Sequence, residues 1–247
     1  MYNDQYKHKK DDFKFWNKEI ENIISDNIQI LELGAGTGRI AKNILLSHQN
    51  ISYYGIDLSS EFVNEANIML EKENLSSNAK ILHGDMSSFS LPVKFDMIFI
   101  PFNSFLHLTD IQSIIQCMAC IKNHLLDSGY VYLDIFVPNP LLLYRPVDVK
   151  AHVMNYHNSL GEKIVIEEQL DYNKADNTAD IVWDFINKNT NQIQTFNFQI
   201  MIHFPDTIMN LIQDNGFCID AVYGGYDKRP LNEDSVLQIY KFSQNIV

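Results

Sequence analysis

The stretch Gln29–Ile40, QILELGAGTGRI, decides the fold of this chain. Its first residues continue an apolar run that begins at Ile28, and such a run is typical of a buried parallel strand. Three glycines follow at alternate positions, and apolar residues at helical spacing begin directly after them. The stretch therefore predicts a strand, a glycine turn and a helix, in which bare backbone and the first helical amides approach a ligand.

The spacing of the glycines distinguishes two kinds of nucleotide site. Dinucleotide-binding turns place their third glycine one position later, where Arg39 stands in this chain. Glu32 lies two residues before the first glycine, and its carboxylate would repel a pyrophosphate but would suit a ligand with an ammonium group. On these residues, the segment resembles motif I of class I S-adenosylmethionine-dependent methyltransferases.

Two later segments carry the same resemblance. Asp57 ends the second predicted strand about twenty residues after the turn, where a carboxylate can bind the ribose hydroxyls of an adenosine. Asp85 and Met86 follow the third predicted strand, and the resemblance implies that they contact the adenine, although Asp85 also fits an ordinary capped turn. The resemblance implies the following cofactor-binding residues: Glu32, Gly34, Ala35, Gly36, Gly38, Asp57, Leu58, Asp85, Met86 and Phe102.

The resemblance also implies the cofactor, S-adenosylmethionine, and a reaction by direct displacement, in which the enzyme aligns an acceptor behind the methyl group and excludes water. An amine acceptor needs only to arrive unprotonated, whereas a hydroxyl needs a base. The candidates for orienting or deprotonating the acceptor are Tyr6, His107 and Asp134, and His107 equally fits a capping role at the following helix. The chain also resembles sugar-amine and glycine N-methyltransferases, so we expect a small-molecule acceptor, and an amine nitrogen rather than a hydroxyl.

The order of elements predicts an α/β fold. We expect a doubly wound, Rossmann-like sheet of seven strands, the last of them antiparallel, within a single methyltransferase domain of residues 1–247. Residues 1–26 form an N-terminal helix that either folds over the cofactor as a lid or lies frayed on the surface. Residues 149–203 lose helical spacing and alternate like strands, which predicts an inserted antiparallel β subdomain. This insertion would either cover the acceptor pocket or pair two subunits in a homodimer.

Net charge, apolar runs and cysteine spacing limit the partners and the compartment that we expect for this protein. A formal net charge of −12 argues against nucleic acid, and the dense basic run 7–10 fits a solvated terminus. No apolar run has the length of a membrane span, and the first residues lack a secretion signal, so we expect a cytoplasmic protein. Cys117 and Cys120 form a C-x-x-C inside a helical pattern without a second pair at zinc spacing, which predicts packed thiols and no metal site.

Two functions of other classes stay open. An NAD(P)-dependent oxidoreductase would explain the strand, the glycine turn and Asp57, but not Glu32 or the position of the third glycine. A non-catalytic relative would bind the cofactor without a closed acceptor pocket beside the methyl group.

Overall fold

The computed structural model describes residues 2–6 and 9–245. These residues divide into two compact units. The α/β unit consists of Lys10–Val137 and Phe204–Val247, and the β unit consists of Met1–Lys9 and Pro138–His203. The β unit thus begins before the expected boundary at residue 149 and also takes in the N-terminal residues. Two residues of the basic run, Lys7 and His8, lie outside the described residues.

Strands and helices alternate in the α/β unit, whereas successive strands follow one another in the β unit. The helices are α1 (Tyr2–Gln5), α2 (Asp11–Glu21), α3 (Arg39–Ser47), α4 (Ser60–Lys72), α5 (Ile111–His124), α6 (Pro140–Leu143) and α7 (Pro205–Asp214), with a 3-10 helix at Ser104–His107. The strands are β1 (Ile28–Leu33), β2 (Ile51–Asp57), β3 (Ala79–His83), β4 (Phe95–Ile100), β5 (Leu125–Phe136), β6 (Ala151–His157), β7 (Lys163–Asn173), β8 (Thr178–Asn187), β9 (Ile193–Met201), β10 (Phe217–Tyr223) and β11 (Leu237–Gln244).

The α/β unit is built on a seven-stranded sheet in the order β10-β11-β5-β4-β1-β2-β3. β1 pairs in parallel with both β2 and β4, and β11 is antiparallel to both β10 and β5. The predicted sheet with its antiparallel last strand is therefore confirmed. Because the carboxyl ends of the parallel strands meet at one edge, the glycine turn after β1 and the loops after β2, β3 and β4 converge there.

Helix α2 belongs to the core of the α/β unit. Phe15, Trp16 and Ile20 are buried, and the Trp16 ring packs against Phe99 of β4 at 4.9 Å between centroids. The buried carboxylate of Glu19 accepts a hydrogen bond from the Tyr132 hydroxyl and forms an ion pair with Lys228. Asp11 and Asp12 lie in the first turn of this helix. Because the helix is packed into the core, both residues have a defined place within the unit.

The two cysteines of the C-x-x-C lie on α5 as free thiols. Cys117 is buried, and burial raises the pKa of its thiol well above the ordinary value. No group of three or more metal-binding side chains occurs within the described ranges. None of the helices in the described part of the chain is long and apolar enough to cross a membrane.

The β unit contains a four-stranded antiparallel sheet in the order β6-β7-β8-β9, which confirms the predicted inserted sheet. Side chains alternate between its two faces, and Ile164, Ile166, Phe185 and Tyr156 form a small core on one of them. The opposite face is more polar and carries an ion pair of 2.5 Å between Lys150 and Asp184.

Candidate functional site

The glycine turn joins β1 to α3 through three residues in the left-handed region, with φ of 78° at Gly34, 54° at Gly36 and 78° at Gly38. A Cβ atom on Gly34 would lie 2.4 Å from the Ser104 hydroxyl oxygen, so only glycine fits there. The amides of Gly34 and Ala35 both donate to the carbonyl of Ile56, at 2.8 and 3.0 Å. The turn is therefore fastened to the end of β2.

Two glycines around the turn permit close packing. A Cβ on Gly38 would lie 2.9 Å from the Met69 terminal methyl, so this glycine lets α3 approach α4. A Cβ on Gly55 would lie 2.6 Å from Ile81 Cδ1 and 2.7 Å from Ala35 Cβ. Gly55 was not predicted as a site residue, although a lone glycine inside a strand pattern signals such a close approach.

Asp57 ends β2 directly beside the turn. Its Oδ2 accepts the amide of Gly36 at 2.7 Å, and its Oδ1 accepts the amide of Ser59 at 2.8 Å. Each carboxylate oxygen can accept more than one hydrogen bond, so the two amides orient the group without exhausting it. Asp57 is thus a fixed acceptor pair at the carboxyl edge, and it suits the two hydroxyls of a ribose.

Glu32 has a very different environment. It is buried in β1 and accepts a hydrogen bond of 2.5 Å from the Tyr53 hydroxyl. Burial raises the pKa of Glu32 to about 8, while the Tyr53 hydrogen bond and the charge of Arg39 act in the opposite direction. A cation near this carboxyl would favour its ionised form, but direct contact of Glu32 with a ligand stays a prediction.

Arg39, the residue in place of the third glycine of a dinucleotide turn, pairs with a buried acid of α2. Its guanidinium donates to the two oxygens of Asp12 at 3.1 and 2.5 Å and lies 4.9 Å from the centre of the Phe13 ring. Such a two-pronged contact is geometrically specific. Arg39 therefore fastens α2 to the start of α3, immediately after the glycine turn.

The third loop supplies Asp85 and Met86. Asp85 is exposed, and its Oδ1 accepts hydrogen bonds from the amide and hydroxyl of Ser87, both at 2.7 Å, as in a capped turn. Within the described part of the chain its side-chain hydrogen bonds all go to Oδ1, so Oδ2 can meet a ligand donor. The Met86 methyl lies 3.9 Å from the position of a Cβ on Gly34, and Leu58 at the same edge is 70% exposed. Together they provide an acceptor and apolar surface of the kind a purine base needs.

The loop after β4 is held in a strained conformation. Phe102 and Asn103 have φ of 55° and 66°, in a region that non-glycine residues rarely occupy. The amide of Asn103 donates to the Asp134 carbonyl at 3.0 Å, and the Asn103 side-chain oxygen accepts the Phe136 amide at 2.7 Å. These contacts with β5 hold the loop, and with it the half-buried Phe102, at the carboxyl edge.

Asp134 is central to that arrangement. It is buried in β5, and its Oδ2 accepts the Phe102 amide at 3.1 Å and the Tyr226 hydroxyl at 2.5 Å. Burial and the charge of Asp134 raise the pKa of Tyr226, so this phenol stays a neutral donor. Tyr226 was not predicted as a site residue, although an aromatic residue in the glycine-rich connection between the last two strands was a usable signal.

The other two catalytic candidates differ in position. His107 ends the 3-10 helix of the α/β unit and is exposed to solvent. Partial desolvation lowers the pKa of its imidazole, and the charge of Asp57 opposes this shift. Tyr6 belongs to the β unit, where its hydroxyl accepts a hydrogen bond from the Gln5 side chain at 2.8 Å. The roles of His107 and Tyr6 in catalysis stay predictions.

Comparison with known proteins tests the expected resemblance to methyltransferases. Residues 30–129 match the family model described as a methyltransferase domain. Residues 30–129 of this chain thus resemble a methyltransferase domain. Over 77 residues it is 30% identical to a demethylmenaquinone methyltransferase of Chlamydia pneumoniae, and this segment covers 31% of the chain and about a third of that relative, 32%.

Solved structures share the fold of the whole chain. An S-adenosylmethionine-dependent methyltransferase from Clostridium acetobutylicum matches 99% of this chain and 96% of its own, with a TM-score of 0.77 at 18% identity. The CcbJ methyltransferase from Streptomyces caelestis matches 96% and 91%, with a TM-score of 0.80 at 14% identity. The sugar N-methyltransferase KedS8 from a Streptoalloteichus species matches 96% and 89%, with a TM-score of 0.70 at 14% identity. The predicted resemblance to methyltransferases is thereby confirmed, and at these identities the structural matches speak for the fold alone.

Within residues 30–129, the predicted cofactor-binding residues of the loops lie at one edge of the sheet. The glycine turn, Asp57, Asp85 with Met86, and Phe102 all lie at the carboxyl ends of the first four strands. This grouping brings a carboxylate pair, apolar side chains and the glycine turn together at one edge of the sheet.

Proposed function

We propose that this protein is an S-adenosylmethionine-dependent methyltransferase that moves a methyl group by direct displacement to a small-molecule acceptor. The observation that carries the proposal is the glycine turn with Asp57 fixed across it by the Gly36 amide at 2.7 Å. When bound, the cofactor supplies a methyl group activated by a sulfonium centre. Asp57 would hold the ribose, Asp85 and Met86 the adenine, and Gly34 with Glu32 the amino-acid tail.

The contacts of Arg39 and Glu32 support this proposal over the oxidoreductase alternative. Arg39 is committed to Asp12 and stands where a dinucleotide site needs glycine. Glu32 is a buried acid in the strand before the turn, and an ammonium group nearby would favour its ionised form whereas a pyrophosphate would not. Burial raises the pKa of Glu32 to about 8, and the positive charge of an ammonium ion nearby would lower this pKa again.

We further propose that the acceptor is an amine rather than a hydroxyl. A hydroxyl must lose a proton as it reacts, and so requires a base in reach. Asp134 already accepts two hydrogen bonds that hold the Phe102 loop and Tyr226, so it is better suited to positioning than to proton removal. Tyr6 and His107 remain as candidates to orient the acceptor or receive a proton, and an unprotonated amine needs no base. The names of the structural neighbours, which include a sugar N-methyltransferase and a glycopeptide N-methyltransferase, are in line with an amine.

Other parts of the proposal concern partners and compartment. A net charge of −12 favours a small-molecule acceptor over nucleic acid, and free cysteines favour the cytoplasm. Two roles were expected for the four-stranded sheet, namely covering the acceptor pocket or pairing two subunits. We propose the second, in which the sheet pairs two copies of the chain in a homodimer. Light scattering coupled to size-exclusion chromatography of the wild-type chain would test this pairing.

An acceptor screen tests the proposed activity. Purified protein is incubated with S-adenosylmethionine and a library of amines, amino acids, amino sugars and matched alcohols, and release of S-adenosylhomocysteine is measured. We expect turnover with an amine and none with the alcohol of the same skeleton. Turnover with alcohols alone would contradict the amine assignment, and cofactor binding without turnover on any acceptor would favour the non-catalytic alternative.

A further inference from the structure

The four-stranded sheet of the β unit carries a cavity of about 480 Å³ on the face that also holds its small apolar core. One side chain from each strand lines this cavity: Tyr156 of β6, Ile164 of β7, Phe185 of β8 and Gln194 of β9. Tyr156 is paired with Ile164, and Phe185 with Gln194, in the antiparallel registers. Pockets for small molecules commonly have volumes of roughly 300–1,000 Å³, so the cavity has the size of a ligand site.

Helix α1 and the connections at the same end of the sheet complete the lining. α1 lies against β6, and Asp4 of this helix accepts the amide of Ser159 through Oδ2 at 3.2 Å. Asn158 and Asn187 also line the cavity, and their side chains both donate to Glu162 Oε2, at 2.8 and 2.9 Å. The polar part of the lining is therefore held in place by hydrogen bonds within the β unit.

Two polar groups of the lining are left for a ligand. Among the described residues, Ser159 is the only hydrogen-bond partner of the Asp4 side chain, so Oδ1 can meet a donor. Tyr156 is 8% exposed, yet none of the described residues forms a hydrogen bond with its hydroxyl. A buried polar group without a partner is unfavourable. Burial and the charge of Asp4 raise the pKa of Tyr156, so its phenol stays neutral and can donate or accept a hydrogen bond.

The charge of the lining favours a cation. Among the described residues that line the cavity, Asp4 is the one charged side chain, and none is a lysine, an arginine or a histidine. Asp4 would repel an anion, whereas an ammonium group would form a charge-assisted hydrogen bond with its carboxylate. The rings of Tyr156 and Phe185 provide apolar surface for the body of a ligand, and aromatic rings also attract cations.

We propose that this cavity is a binding site for a small organic cation, an amine with an apolar or aromatic body. The ammonium group donates to Asp4 Oδ1, and the Tyr156 hydroxyl offers a second hydrogen bond at the polar end of the ligand. The apolar body packs on Ile164 and Phe185. Binding here involves the β unit alone and does not depend on the proposed methyl transfer.

Nuclear magnetic resonance of the wild-type chain with labelled isoleucine methyl groups tests the binding directly. The Ile164 signal is assigned with Ile164→Val and followed at pH 7 and constant ionic strength during titration with benzylamine, benzyl alcohol or benzoate. These three probes share a ring and differ in charge. We expect a saturable shift with benzylamine, weaker binding of benzyl alcohol and none of benzoate. No saturable Ile164 shift with benzylamine, or equal affinity for benzylamine and benzoate, would overturn the proposal.

A second methyl group separates local binding from a general effect. Ile98 is buried in β4 of the α/β unit, and its signal is assigned in the same way with Ile98→Val. We expect it to stay unchanged while Ile164 shifts. Equal shifts of both signals with benzylamine would argue against a site in the β unit.

Replacing the carboxylate tests the charge pairing. Asp4→Asn should raise the Kd for benzylamine at least about tenfold, the scale of a lost charge-assisted hydrogen bond, and leave the Kd for benzyl alcohol unchanged. Asp180→Asn is the matched control, because Asp180 is an exposed acid of β8 that contacts Gln199 at 2.9 Å and does not line the cavity. An unchanged Kd for benzylamine in Asp4→Asn, or an equal rise in Asp180→Asn, would contradict the pairing.

Replacing the phenol tests the second polar contact. Tyr156→Phe should raise the Kd for benzylamine a few-fold, since it removes one neutral hydrogen bond and keeps the ring. Tyr172→Phe is its control, because Tyr172 donates to Asn177 and does not line the cavity. Equal Kd values in the wild type and Tyr156→Phe would remove Tyr156 from the site.

A second copy of the chain is the other occupant that such an open cavity could have. Dilution of the wild-type protein without any probe distinguishes the two. We expect the Ile164 signal to be independent of protein concentration. A shift on dilution that benzylamine cannot reproduce would show that another chain fills the cavity, and it would overturn the proposal.

Discussion

Glu32 and Asp57 stand near the carboxyl ends of adjacent strands, yet their carboxyl groups have opposite roles. Asp57 is half-buried at the carboxyl edge of the sheet and accepts two backbone amides. Glu32 is buried against Tyr53, and this burial raises its pKa to about 8. At the scale of single residues, we propose Asp57 as an oriented acceptor for a sugar and Glu32 as a carboxyl that a nearby cation would ionise.

Asp57→Asn should weaken binding of S-adenosylhomocysteine by roughly 1–3 kcal/mol, because an amide cannot make the charge-assisted hydrogen bonds of a carboxylate. Asp96→Asn is the matched control, since Asp96 also accepts a backbone amide, that of Gln29 at 2.8 Å, but lies at the amino end of β4. Calorimetry on both variants measures the effect. Unchanged affinity in Asp57→Asn, or an equal loss in Asp96→Asn, would argue against a ribose contact at Asp57.

Glu32→Gln should change how stability depends on pH. Below the ordinary pKa of 4.5, Glu32 is protonated in both the folded and the unfolded chain and contributes nothing to the difference. Between 4.5 and about 8, the unfolded chain ionises while the folded chain stays neutral, so the wild type loses stability as the pH rises. Thermal unfolding of the ligand-free protein from pH 5 to 8 should therefore show a steeper fall for the wild type than for Glu32→Gln. Parallel curves would show that Glu32 titrates normally.

At the scale of elements, the loop after β4 depends on β5 and on the connection between the last two strands. Asp134 accepts hydrogen bonds from Phe102 and Tyr226, and the loop itself has two successive residues with positive φ. Local sequence patterns predicted the loop and the strand but not this network. The reason is that Tyr226 lies 92 positions from Asp134 in the sequence, and only the folded sheet, in which β11 pairs with β5, brings the two together.

Tyr226→Phe should destabilise the folded protein by roughly 1–3 kcal/mol, because it removes a donor from a buried carboxylate. Tyr172→Phe is the control, since its hydroxyl donates to Asn177 at an exposed site and its loss should have little effect. Urea denaturation gives both values. If the two variants were equally stable, the Tyr226 hydroxyl would not be holding Asp134 and the Phe102 loop.

At the scale of the whole molecule, the sequence predicted the two sheets well but did not predict which unit the N-terminal residues belong to. The apolar runs of β1 and β4 and the glycine turn were enough for the seven-stranded sheet, since buried parallel strands have a strong local signature. The alternation of apolar and polar residues within 149–203 was enough to predict the four-stranded antiparallel sheet. The association of α1 with β6 in one unit could not be predicted, because it joins segments about 150 residues apart without a shared periodicity.

The site was predictable where backbone geometry restricts residue type and less so where side chains meet across the fold. Gly34 had to be glycine, and its motif was visible. Gly55 and Tyr226 matter through distant contacts, with Ala35 and Ile81 for the first and with Asp134 for the second. Contacts between residues that are distant in the sequence leave no local pattern, so they are found only in the folded structure.

The central claim is that the carboxyl edge of the sheet binds a nucleoside with an amino-acid tail and not a dinucleotide. Isothermal titration calorimetry of the wild-type protein with S-adenosylhomocysteine and, separately, with NAD⁺ tests this claim most directly. We predict that S-adenosylhomocysteine binds one site per chain with micromolar affinity or better and that NAD⁺ gives no saturable heat. Saturable binding of NAD⁺ together with no binding of S-adenosylhomocysteine would contradict it.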